Sequence, residues 1–364
     1  MFVTENVSLA PLSTFGIGGP ARFMAEATEE SHVLEALELA MAKSLPLFVL
    51  GGGSNVVFSD CGFCGVVLRM SIRGMQPAAD TDGVINVSAG ENWDEMVRWS
   101  VERGLAGLEC LSGIPGTVGG TPIQNVGAYG QEVSEVIASV RVVERETGCI
   151  SDLSRDNCGF AYRTSIFNTT RRDRYIVLNV SFWLRPGGEP RLQYADLRRF
   201  FEKRPAGVTL AEVRDAVLKI RASKAMVLIP GDPDSRSVGS FFKNPVVTEE
   251  RSVSIEESAR HRGLLSGSES ILRFRSAPGQ VKLAAAWLIE HAGFPKGYSR
   301  GRVGLSSRHA LALVNRGGAT AAEALALMRE IQDGVRSAFE IDLVPEPVFV
   351  GFADSVNKNP GGPV

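Results

Sequence analysis

Short, largely apolar runs separated by polar or glycine-containing segments are the main pattern of this chain, and they predict many strands. The apolar residues at 136, 138, 140 and 142 follow the two-residue period of a half-buried strand. The other runs that predict strands lie at residues 22–27, 47–50, 66–68, 84–87, 175–184, 309–314, 341–344 and 348–350.

Apolar residues at helical spacing predict five helices between these strands. In the first helix Val33, Leu34, Leu37, Ala40 and Met41 would form one apolar face. The five are expected to begin at Thr28, at Asn92 or Trp93, at the capping boxes Thr209–Glu212 and Thr320–Glu323, and at Gly279. The last four end near Gly104, Lys224, Phe339 and Ala292, respectively.

Helices and strands do not alternate strictly along the chain, and this order decides the fold class. A doubly wound parallel sheet requires that alternation, so the pattern predicts an α+β protein. Residues 16–21, Gly-Ile-Gly-Gly-Pro-Ala, do fit the dinucleotide fingerprint G-x-G-x-x-A. That motif needs a strand before it and a helix after it, whereas here a short strand follows Pro20. We therefore reject a Rossmann unit.

The composition narrows the classes of partner. The chain has 364 residues, of which 44% are hydrophobic, and a formal net charge of -2. This length predicts two or three domains with ample core, and the near-neutral charge gives no electrostatic footprint for nucleic acid. No apolar run reaches membrane-spanning length, and the N-terminus does not resemble a signal peptide. We expect a soluble cytoplasmic protein that binds neither nucleic acid nor a membrane.

The cysteines and histidines give little support for a metal site. Cys61-x-x-Cys64 is compatible with a redox pair, with half a metal site, or with free thiols near a turn. No second Cys/His pair lies at zinc spacing, and the four histidines are scattered. We expect free thiols and no metal.

Residues 114–130 form the most unusual segment, with five glycines, two prolines and no charged residue. Glycine lets a backbone approach a ligand closely, and successive N–H groups in such a loop can bind an anion. The alternative is an ordinary long surface loop. If the segment holds a phosphate-containing cofactor, the candidate residues are Ile114, Pro115, Gly116, Thr117, Gly119, Gly120, Gln124, Asn125, Gly127, Ala128 and Tyr129.

A second glycine-rich segment follows the predicted strand 47–50. It reads Gly51-Gly52-Gly53-Ser54-Asn55 and is again uncharged. A strand that ends in such a loop suits close backbone approach to a phosphate or a sugar. The signal is weak alone and stronger beside residues 114–130.

Four further residues carry chemistry that the pattern alone leaves open. Tyr162 and Arg163 place a phenol beside a guanidinium that can bind a phosphate or carboxylate, although a surface salt bridge explains them equally well. Glu346 lies between two prolines in extended backbone, either as a fixed carboxylate or as a solvated turn residue. Ser240 precedes two phenylalanines and lacks the context of a hydrolase nucleophile.

Taken together, these segments resemble the bacterial UDP-N-acetylenolpyruvoylglucosamine reductases. The joint match runs in the family's order through nearly the whole chain and is specific, although each piece alone is not. Residues 225–237 are longer and more polar than the resemblance leads us to expect. The matching stretches are residues 13–21, 51–55, 90–93, 114–130, 162–167, 239–245 and 343–346.

The resemblance implies a fold and a domain division. The fold is a two-part FAD-binding module of the vanillyl-alcohol-oxidase (PCMH) type, about residues 14–186, followed by an α+β substrate domain. The expected parts are 1–65 and 66–220 for FAD binding, 221–352 for substrate binding, and a disordered tail at 353–364. FAD and NADPH are the implied cofactors, a UDP-sugar enolpyruvyl ether is the implied substrate, and we expect a monomer.

The resemblance also implies residue roles. Arg163 and Glu346 would act on the charge that develops next to the substrate carboxylate, and Ser240 would donate a proton to the adjacent carbon. Tyr194 resembles the tyrosine of a family subtype whose extra loop closes over the substrate. The remaining implied substrate-binding residues are Tyr162, Lys224, Lys243, Asn244 and His309.

Two other classes of protein are compatible with parts of this pattern. One is a flavin oxidase of the same fold that uses O2, for which His32 is poorly placed as a flavin attachment site and the pair Ser240 and Glu346 has no role. The other is a nucleotide-sugar binding protein without activity. Flavin colour and substrate-dependent NADPH oxidation distinguish the three.

Overall fold

The computed structural model describes residues 1–79, 81–204 and 207–353. In these ranges the helices are α1 (Glu30–Ala42), α2 (Trp93–Glu102), α3 (Ala195–Phe200), α4 (Leu210–Ser223), α5 (Glu249–His261), α6 (Ala285–His291) and α7 (Ala321–Phe339). The strands of the first half are β1 (Val3–Ser8), β2 (Pro20–Ala27), β3 (Leu47–Leu50), β4 (Val56–Phe58), β5 (Phe63–Met70), β6 (Met75–Pro77), β7 (Val84–Ser88), β8 (Leu105–Ala106), β9 (Gly127–Ala128), β10 (Gln131–Glu132), β11 (Ile137–Glu144), β12 (Ile150–Ser154) and β13 (Tyr175–Trp183). Those of the second half are β14 (Arg185–Pro186), β15 (Val246–Thr248), β16 (Arg273–Arg275), β17 (Gln280–Leu283), β18 (Ser299–Arg300), β19 (Val303–Leu305), β20 (Leu313–Asn315) and β21 (Val348–Val350).

The described chain divides into two compact units, and each draws on separate stretches of sequence. Unit 1 comprises Met1–Val7, Pro20–Gly53 and Phe63–Val227. Unit 2 comprises Ser8–Gly19, Ser54–Gly62 and the residues from Leu228 onwards. Unit 2 therefore includes Ser8–Gly19 and Ser54–Gly62, which lie within the expected first FAD-binding part, residues 1–65. The tail expected at 353–364 lies, from residue 354, outside the described residues.

The described residues of unit 1 form two larger sheets and the two-stranded pairs β9-β10 and β8-β14. One has the order β1-β2-β5-β3, with β2 and β3 parallel to β5, and the other is antiparallel with the order β12-β11-β13-β7-β6. Their apolar faces, together with α1 and α2, form one core that includes the fully buried Trp93 and Phe182. A smaller cluster packs α4 against Cys110 and Leu197.

Unit 2 forms its own core around α5, α6 and α7. It contains the sheets β15-β17-β16 and β18-β19-β20 and the parallel pair β21-β4. Three residues from the early segments, Phe15, Ile17 and Val57, are buried in this core. The side chain of Asn315 donates to the carbonyl oxygens of Phe15 and Gly16, which anchors residues 8–19 to unit 2.

Most predicted elements are confirmed, including both capping boxes and the Asn92 cap of α2. The predicted start of α1 is wrong, because Glu29 occupies the N-cap without a side-chain hydrogen bond and Thr28 Oγ1 lies 3.2 Å from His32 Nδ1 instead. Met41, which was expected on the apolar face, is 59% exposed.

Three predictions in unit 2 are also wrong. The helix expected from Gly279 begins only at Ala285, because Gln280–Leu283 forms the central strand of a sheet. Residues 309–314 form a turn before β20 rather than a full strand. Residues 341–344 form no strand, and the carbonyl oxygens of Leu343 and Val344 accept from Gln332 Nε2 and Lys243 N. Among the described helices, none is long and apolar enough to cross a bilayer.

Candidate active site

The two glycine-rich segments meet in unit 1. A Cβ at Gly52 would lie 2.6 Å from the Cα of Gly116, and a Cβ at Gly51 would lie 2.5 Å from Thr117 Oγ1. Real Cβ atoms do not approach other atoms this closely, so the backbones of residues 51–52 and 116–117 can pack together only because residues 51 and 52 are glycine. The two glycine-rich segments, residues 51–55 and 114–130, therefore form one surface through Gly51, Gly52, Gly116 and Thr117, which we call the cradle.

The other glycines of the long loop have different environments. A Cβ at Gly119 would lie 2.6 Å from Ala89 Cβ, and one at Gly127 would lie 2.9 Å from the carbonyl oxygen of Gln131. A Cβ at Gly120 would meet no protein atom within 4 Å. Gly119 and Gly127 are thus required by close packing inside the protein, whereas the space beside Gly120 is open.

This surface suits an anionic group of a cofactor such as the FAD pyrophosphate. In the described ranges, no backbone hydrogen bond uses the N–H group of Gly51, Gly52 or Gly116. Neither glycine-rich segment contains a charged residue. Backbone donors can therefore bind a pyrophosphate here without a cationic side chain.

Within the loop, Asn125 is used to fold the loop itself. It is 1% exposed and has a φ of 44°, a left-handed conformation that asparagine tolerates. Its amide donates to Glu132 Oε2 at 2.8 Å and to the carbonyl oxygen of Ala161 at 3.0 Å, and its Oδ1 accepts from Ser134 N at 3.1 Å. A ligand contact by Asn125 stays a prediction.

Arg163 lies beside this loop in a strained conformation. Its φ of 55° is uncommon for a residue with a long side chain, and such strain concentrates at functional sites. Its Nη2 donates to the carbonyl oxygen of Gly127 at 2.8 Å, and its guanidinium lies 5.5 Å from the centroid of the Tyr162 ring. Asn168 Nδ2 donates to its carbonyl oxygen at 3.2 Å, which helps to hold this turn.

Three tyrosine side chains, those of Tyr129, Tyr162 and Tyr194, lie near one another in unit 1. The rings of Tyr129 and Tyr194 meet edge to face, with centroids 5.3 Å apart. Burial raises the pKa of Tyr194, and the nearby Asp196 and Tyr162 raise it further. Burial also raises the pKa of Tyr129 to about 12. Both phenols are therefore protonated near neutral pH and can donate hydrogen bonds.

The end of α4 adds two cations to this group. Lys224 caps the helix, and its Nζ lies 2.7 Å from Asp196 Oδ2, so the predicted substrate lysine is already ion-paired. Arg221 was missed by sequence reasoning. Its charge acts on the Tyr129 phenol, where it opposes the larger effect of burial, which raises the pKa. Its Nη2 donates to the carbonyl oxygen of Met226 at 2.7 Å, while its buried Nε has no partner in the described protein. A basic residue in the last turn of α4 was the only available signal.

In unit 2, backbone pairing brings Ser240 and Glu346 near each other. Phe241 accepts a hydrogen bond from Glu346 N at 2.9 Å, and Lys243 N donates to the carbonyl oxygen of Val344 at 2.9 Å. Phe241 and Phe242 are buried with ring centroids 5.4 Å apart. This aromatic packing fixes the backbone on both sides of the partly exposed Ser240.

Asn55 supports Glu346 in the same unit. Its Nδ2 donates to the carbonyl oxygen of Glu346 at 3.3 Å, and its own carbonyl oxygen accepts from Val348 N at 3.0 Å. The second glycine-rich segment therefore contributes Gly51–Gly53 to unit 1 and Ser54 and Asn55 to unit 2. The contact between Asn55 and Glu346, 291 residues apart, could not be inferred from the sequence.

Asn244 and His309 are held by local structure in unit 2. Asn244 Oδ1 accepts from Ala285 N at 2.9 Å and so fixes the start of α6. The turn before His309 is clamped by Asp234, which accepts from Ser307 N at 3.0 Å and Ser307 Oγ at 2.6 Å. Asp232 pairs with Arg308, which holds the pKa of that carboxyl below its usual range. The long polar stretch 225–237 thus anchors the His309 turn.

The described residues contain no group of three or more His, Cys, Asp or Glu side chains that could hold a metal ion. All five cysteines are free, with Cys61, Cys64 and Cys149 exposed and Cys110 and Cys158 buried.

Comparison with known proteins identifies both parts of the chain. A family model of an FAD binding domain matches residues 21–154, and a model of the C-terminal domain of UDP-N-acetylenolpyruvoylglucosamine reductase matches residues 232–350. A solved structure of UDP-N-acetylenolpyruvylglucosamine reductase from Thermus caldophilus is similar in fold, with a TM-score of 0.65 and 24% identity, over 96% of this chain and all of that one. The predicted α+β fold with an FAD-binding module is confirmed.

Curated relatives extend over almost the whole chain. The UDP-N-acetylenolpyruvoylglucosamine reductase of Thermobifida fusca is 47% identical over 95% of this chain and 98% of its own length. The enzyme of the same name from Streptomyces coelicolor is 45% identical over 96% of this chain and 90% of its own length. With this identity over nearly the full length of both chains, and with the C-terminal domain model matching residues 232–350, the chain belongs to the UDP-N-acetylenolpyruvoylglucosamine reductase family.

Proposed function

We propose that this protein reduces the enolpyruvyl ether of UDP-N-acetylglucosamine to UDP-N-acetylmuramate, a step in the synthesis of peptidoglycan precursors, with FAD and NADPH as cofactors. Family membership supports the reaction, and the FAD-binding match supports the flavin. The observation that carries the proposal is the uncharged surface where Gly52 packs against Gly116, because it leaves backbone donors for a pyrophosphate.

When bound, FAD supplies redox chemistry by passing reducing equivalents from NADPH to the enolpyruvyl group. The residues of this chain bind and orient its pyrophosphate through backbone N–H groups. Because these donors carry no net charge, they do not impose a strong field on the reacting part of the site.

Arg163 stabilises the negative charge that develops beside the substrate carboxylate. Its planar guanidinium can bind two oxygens at once, and the hydrogen bond to the carbonyl of Gly127 orients it before substrate arrives. The strained φ of Arg163 is consistent with a side chain that is placed for function. Tyr162 packs beside the guanidinium and would contact the substrate.

Glu346 and Ser240 complete the reaction in our proposal. Glu346, protonated or through a hydrogen bond, polarises the substrate carboxylate. Ser240 Oγ then donates a proton to the carbon next to that carboxylate, and the buried Phe241 and Phe242 limit access of water. A serine hydroxyl is a weak acid, so this transfer requires fixed geometry and a strongly basic carbanion.

Tyr194 and Lys224 are proposed to bind the UDP part of the substrate, with Tyr194 closing over it as in the subtype with the extra tyrosine loop. The protonated phenol of Tyr194 and the Lys224 ammonium are both suited to a diphosphate. Lys243, Asn244 and His309 are proposed as further polar contacts. A monomeric state and a cytoplasmic location remain predictions.

The test is to purify the protein, record its absorbance spectrum and measure NADPH oxidation with and without the enolpyruvyl sugar. We expect a flavin spectrum and oxidation that depends on the sugar. Oxidation of NADPH by O2 alone at the same rate would favour a flavin oxidase. Sugar binding without any redox reaction would favour a binding protein.

A further inference from the structure

A fully buried carboxylate outside the proposed reaction lies just before the long glycine-rich loop. Glu109 is 0% exposed, and three hydrogen-bond donors surround its two oxygens. Oε1 accepts from Gln131 Nε2 at 2.7 Å and from Arg191 N at 3.0 Å, and Oε2 accepts from Gly107 N at 2.8 Å. A buried carboxylate with this many partners is costly to replace, because each lost bond leaves a buried donor unpaired.

The backbone of residue 191 is held on both sides by this group. Its N–H donates to Glu109, and its carbonyl oxygen accepts from Cys110 Sγ at 3.3 Å. Cys110 is held in turn, since its N–H donates to Gln131 Oε1 at 2.8 Å. We call Glu109, Cys110 and Gln131 the residue-191 clamp.

The side chain of Arg191 reaches the other end of the glycine-rich loop. Its Nη1 donates to the carbonyl oxygen of Gly130 at 3.0 Å and pairs with Glu135 near the surface. Residue 191 therefore connects the segment that precedes the loop with the residue that ends it. The segments at both ends of residues 114–130 therefore contact residue 191.

Tyr194 lies three residues after residue 191. Tyr194 is the N-cap of α3, its carbonyl oxygen accepts from Arg198 N at 2.9 Å, and its ring lies against Tyr129. Tyr129 and Gly130 both have positive φ, at 49° and 83°. The position of residue 191 thus sets where the tyrosine segment begins relative to the loop.

We propose that Glu109 is a positioning residue for substrate binding, which fixes the base of the Tyr194 segment through residue 191. The inference rests on the proposed role of Tyr194 in binding the UDP-sugar. Glu109 touches neither substrate nor cofactor in this proposal. A carboxylate is needed because it only accepts hydrogen bonds, whereas a glutamine would turn one of the three contacts into a donor facing a donor.

The experiment titrates oxidised, FAD-loaded protein with the enolpyruvyl UDP-sugar in the absence of NADPH, so that binding is measured without turnover. Glu109→Gln should weaken this binding about tenfold, from the loss of one buried hydrogen bond at the base of the segment. Glu135→Gln is the matched control, because it removes only the surface partner of Arg191 and should change binding less than about twofold.

A double variant separates positioning from general damage. If Glu109 acts through Tyr194, then Glu109→Gln should add little further loss in a Tyr194→Ala background. An equal loss in both backgrounds would overturn the proposal. If Tyr194→Ala alone leaves binding unchanged, the proposed role of Tyr194 fails, and the following assay still tests the clamp.

Trypsin cleavage after the exposed Arg198 and Arg199 reports on the segment directly. Glu109→Gln should speed this cleavage several-fold, and saturating substrate should slow it, as expected for a segment held at its base. If Glu109→Gln does not fold, Cys110→Ala removes the bond to the carbonyl of residue 191 together with the packing of the buried sulfur against Leu197, and Cys110→Ser restores the donor without the sulfur. Faster cleavage in Cys110→Ala with recovery in Cys110→Ser supports the clamp, and identical cleavage in both contradicts it.

Discussion

The candidate residues of unit 1 and unit 2 are held in different ways. In unit 1, Arg163 and Tyr129 lie in left-handed backbone next to glycines that pack without room for a side chain. In unit 2, Ser240 and Glu346 flank a short backbone pairing in which Phe241 accepts from Glu346 N, supported by buried aromatic rings. Unit 1 therefore relies on side chains and special backbone conformations, whereas unit 2 relies on backbone hydrogen bonds between residues 241–243 and 344–346.

The difference determines what a substitution does. Where a side chain supports the fold and is also proposed to contact the substrate, as we propose for Arg163, replacing it should change both. Where backbone groups provide the support, as around Ser240, the side chain can be removed with little structural effect. The following substitutions test this contrast, beginning with the largest expected effect.

Ser240→Ala should remove the proposed proton donor of unit 2 without weakening the fold around it. We expect flavin reoxidation by the enolpyruvyl substrate to slow about 10²–10⁴-fold, while reduction by NADPH and thermal stability stay close to normal. Stopped-flow absorbance of each half-reaction measures this. Ser237→Ala, which removes only an acceptor for Gly239 N, is the control. Slower reduction with normal reoxidation would place Ser240 at the nicotinamide instead.

Arg163→Lys should affect both the local structure of unit 1 and the proposed stabilisation of negative charge on the substrate. Lysine keeps the charge but loses the planar fork that bonds the carbonyl of Gly127, so we expect turnover to fall about 10²-fold. Steady-state NADPH oxidation measures the loss. Arg172→Lys is the control, since that exposed side chain pairs only with its neighbour Asp173 among the described residues. Near-normal turnover in Arg163→Lys would mean that a point charge suffices.

Gly52→Ala should disturb the cradle without removing any chemical group. The added Cβ would lie 2.6 Å from Gly116 Cα, so the two segments must separate, and we expect FAD affinity to fall about 10–100-fold. Fluorescence titration of the FAD-free protein measures this. Gly120→Ala, which has open space, should leave the thermal stability of the FAD-free protein unchanged, whereas Gly52→Ala should lower it. Full flavin occupancy in Gly52→Ala would contradict the cradle.

Asn55→Ala should have the smallest effect, because the hydrogen bond it removes from Glu346 supports a site that backbone hydrogen bonds also hold. The bond from Asn55 Nδ2 to the carbonyl of Glu346 contributes about 1 kcal/mol, so we expect the reoxidation step to slow only several-fold. Measuring FAD affinity in the same variant separates the two roles of Asn55. Weaker FAD binding with normal reoxidation would favour its predicted cofactor contact.

The sequence predicted the glycine-rich surface because glycine has few other reasons to recur in an uncharged stretch. Residues 51–55 and 114–130 could be paired on that basis, and the structure brings Gly52 and Gly116 together. The α+β class followed from the order of elements, and the helix starts at Thr209 and Thr320 followed from local capping boxes.

Contacts between distant residues could not be predicted in this way. The start of α6 is fixed by Asn244, 41 residues earlier, so a local apolar pattern placed that helix too early. Glu109 looked like an ordinary residue before a loop, because only the fold brings Gln131 and Arg191 to it. Arg221 was missed for the same reason, since its partner Tyr129 lies far away in sequence.

The interleaving of the two units has a consequence for how the chain folds during synthesis. Strand β4 of unit 2 pairs with β21, which begins at Val348. The carboxylate of Asp60 accepts from the N–H groups of Ala321 and Ala322 at the start of α7. At typical synthesis rates the ribosome needs about 15–60 s to travel from β4 to β21. During that time the early segments, with the apolar Phe15, Ile17 and Val57, have no completed core to enter. A nascent chain truncated before β21 should therefore be a target for chaperones and proteases, even though all of unit 1 has already been made.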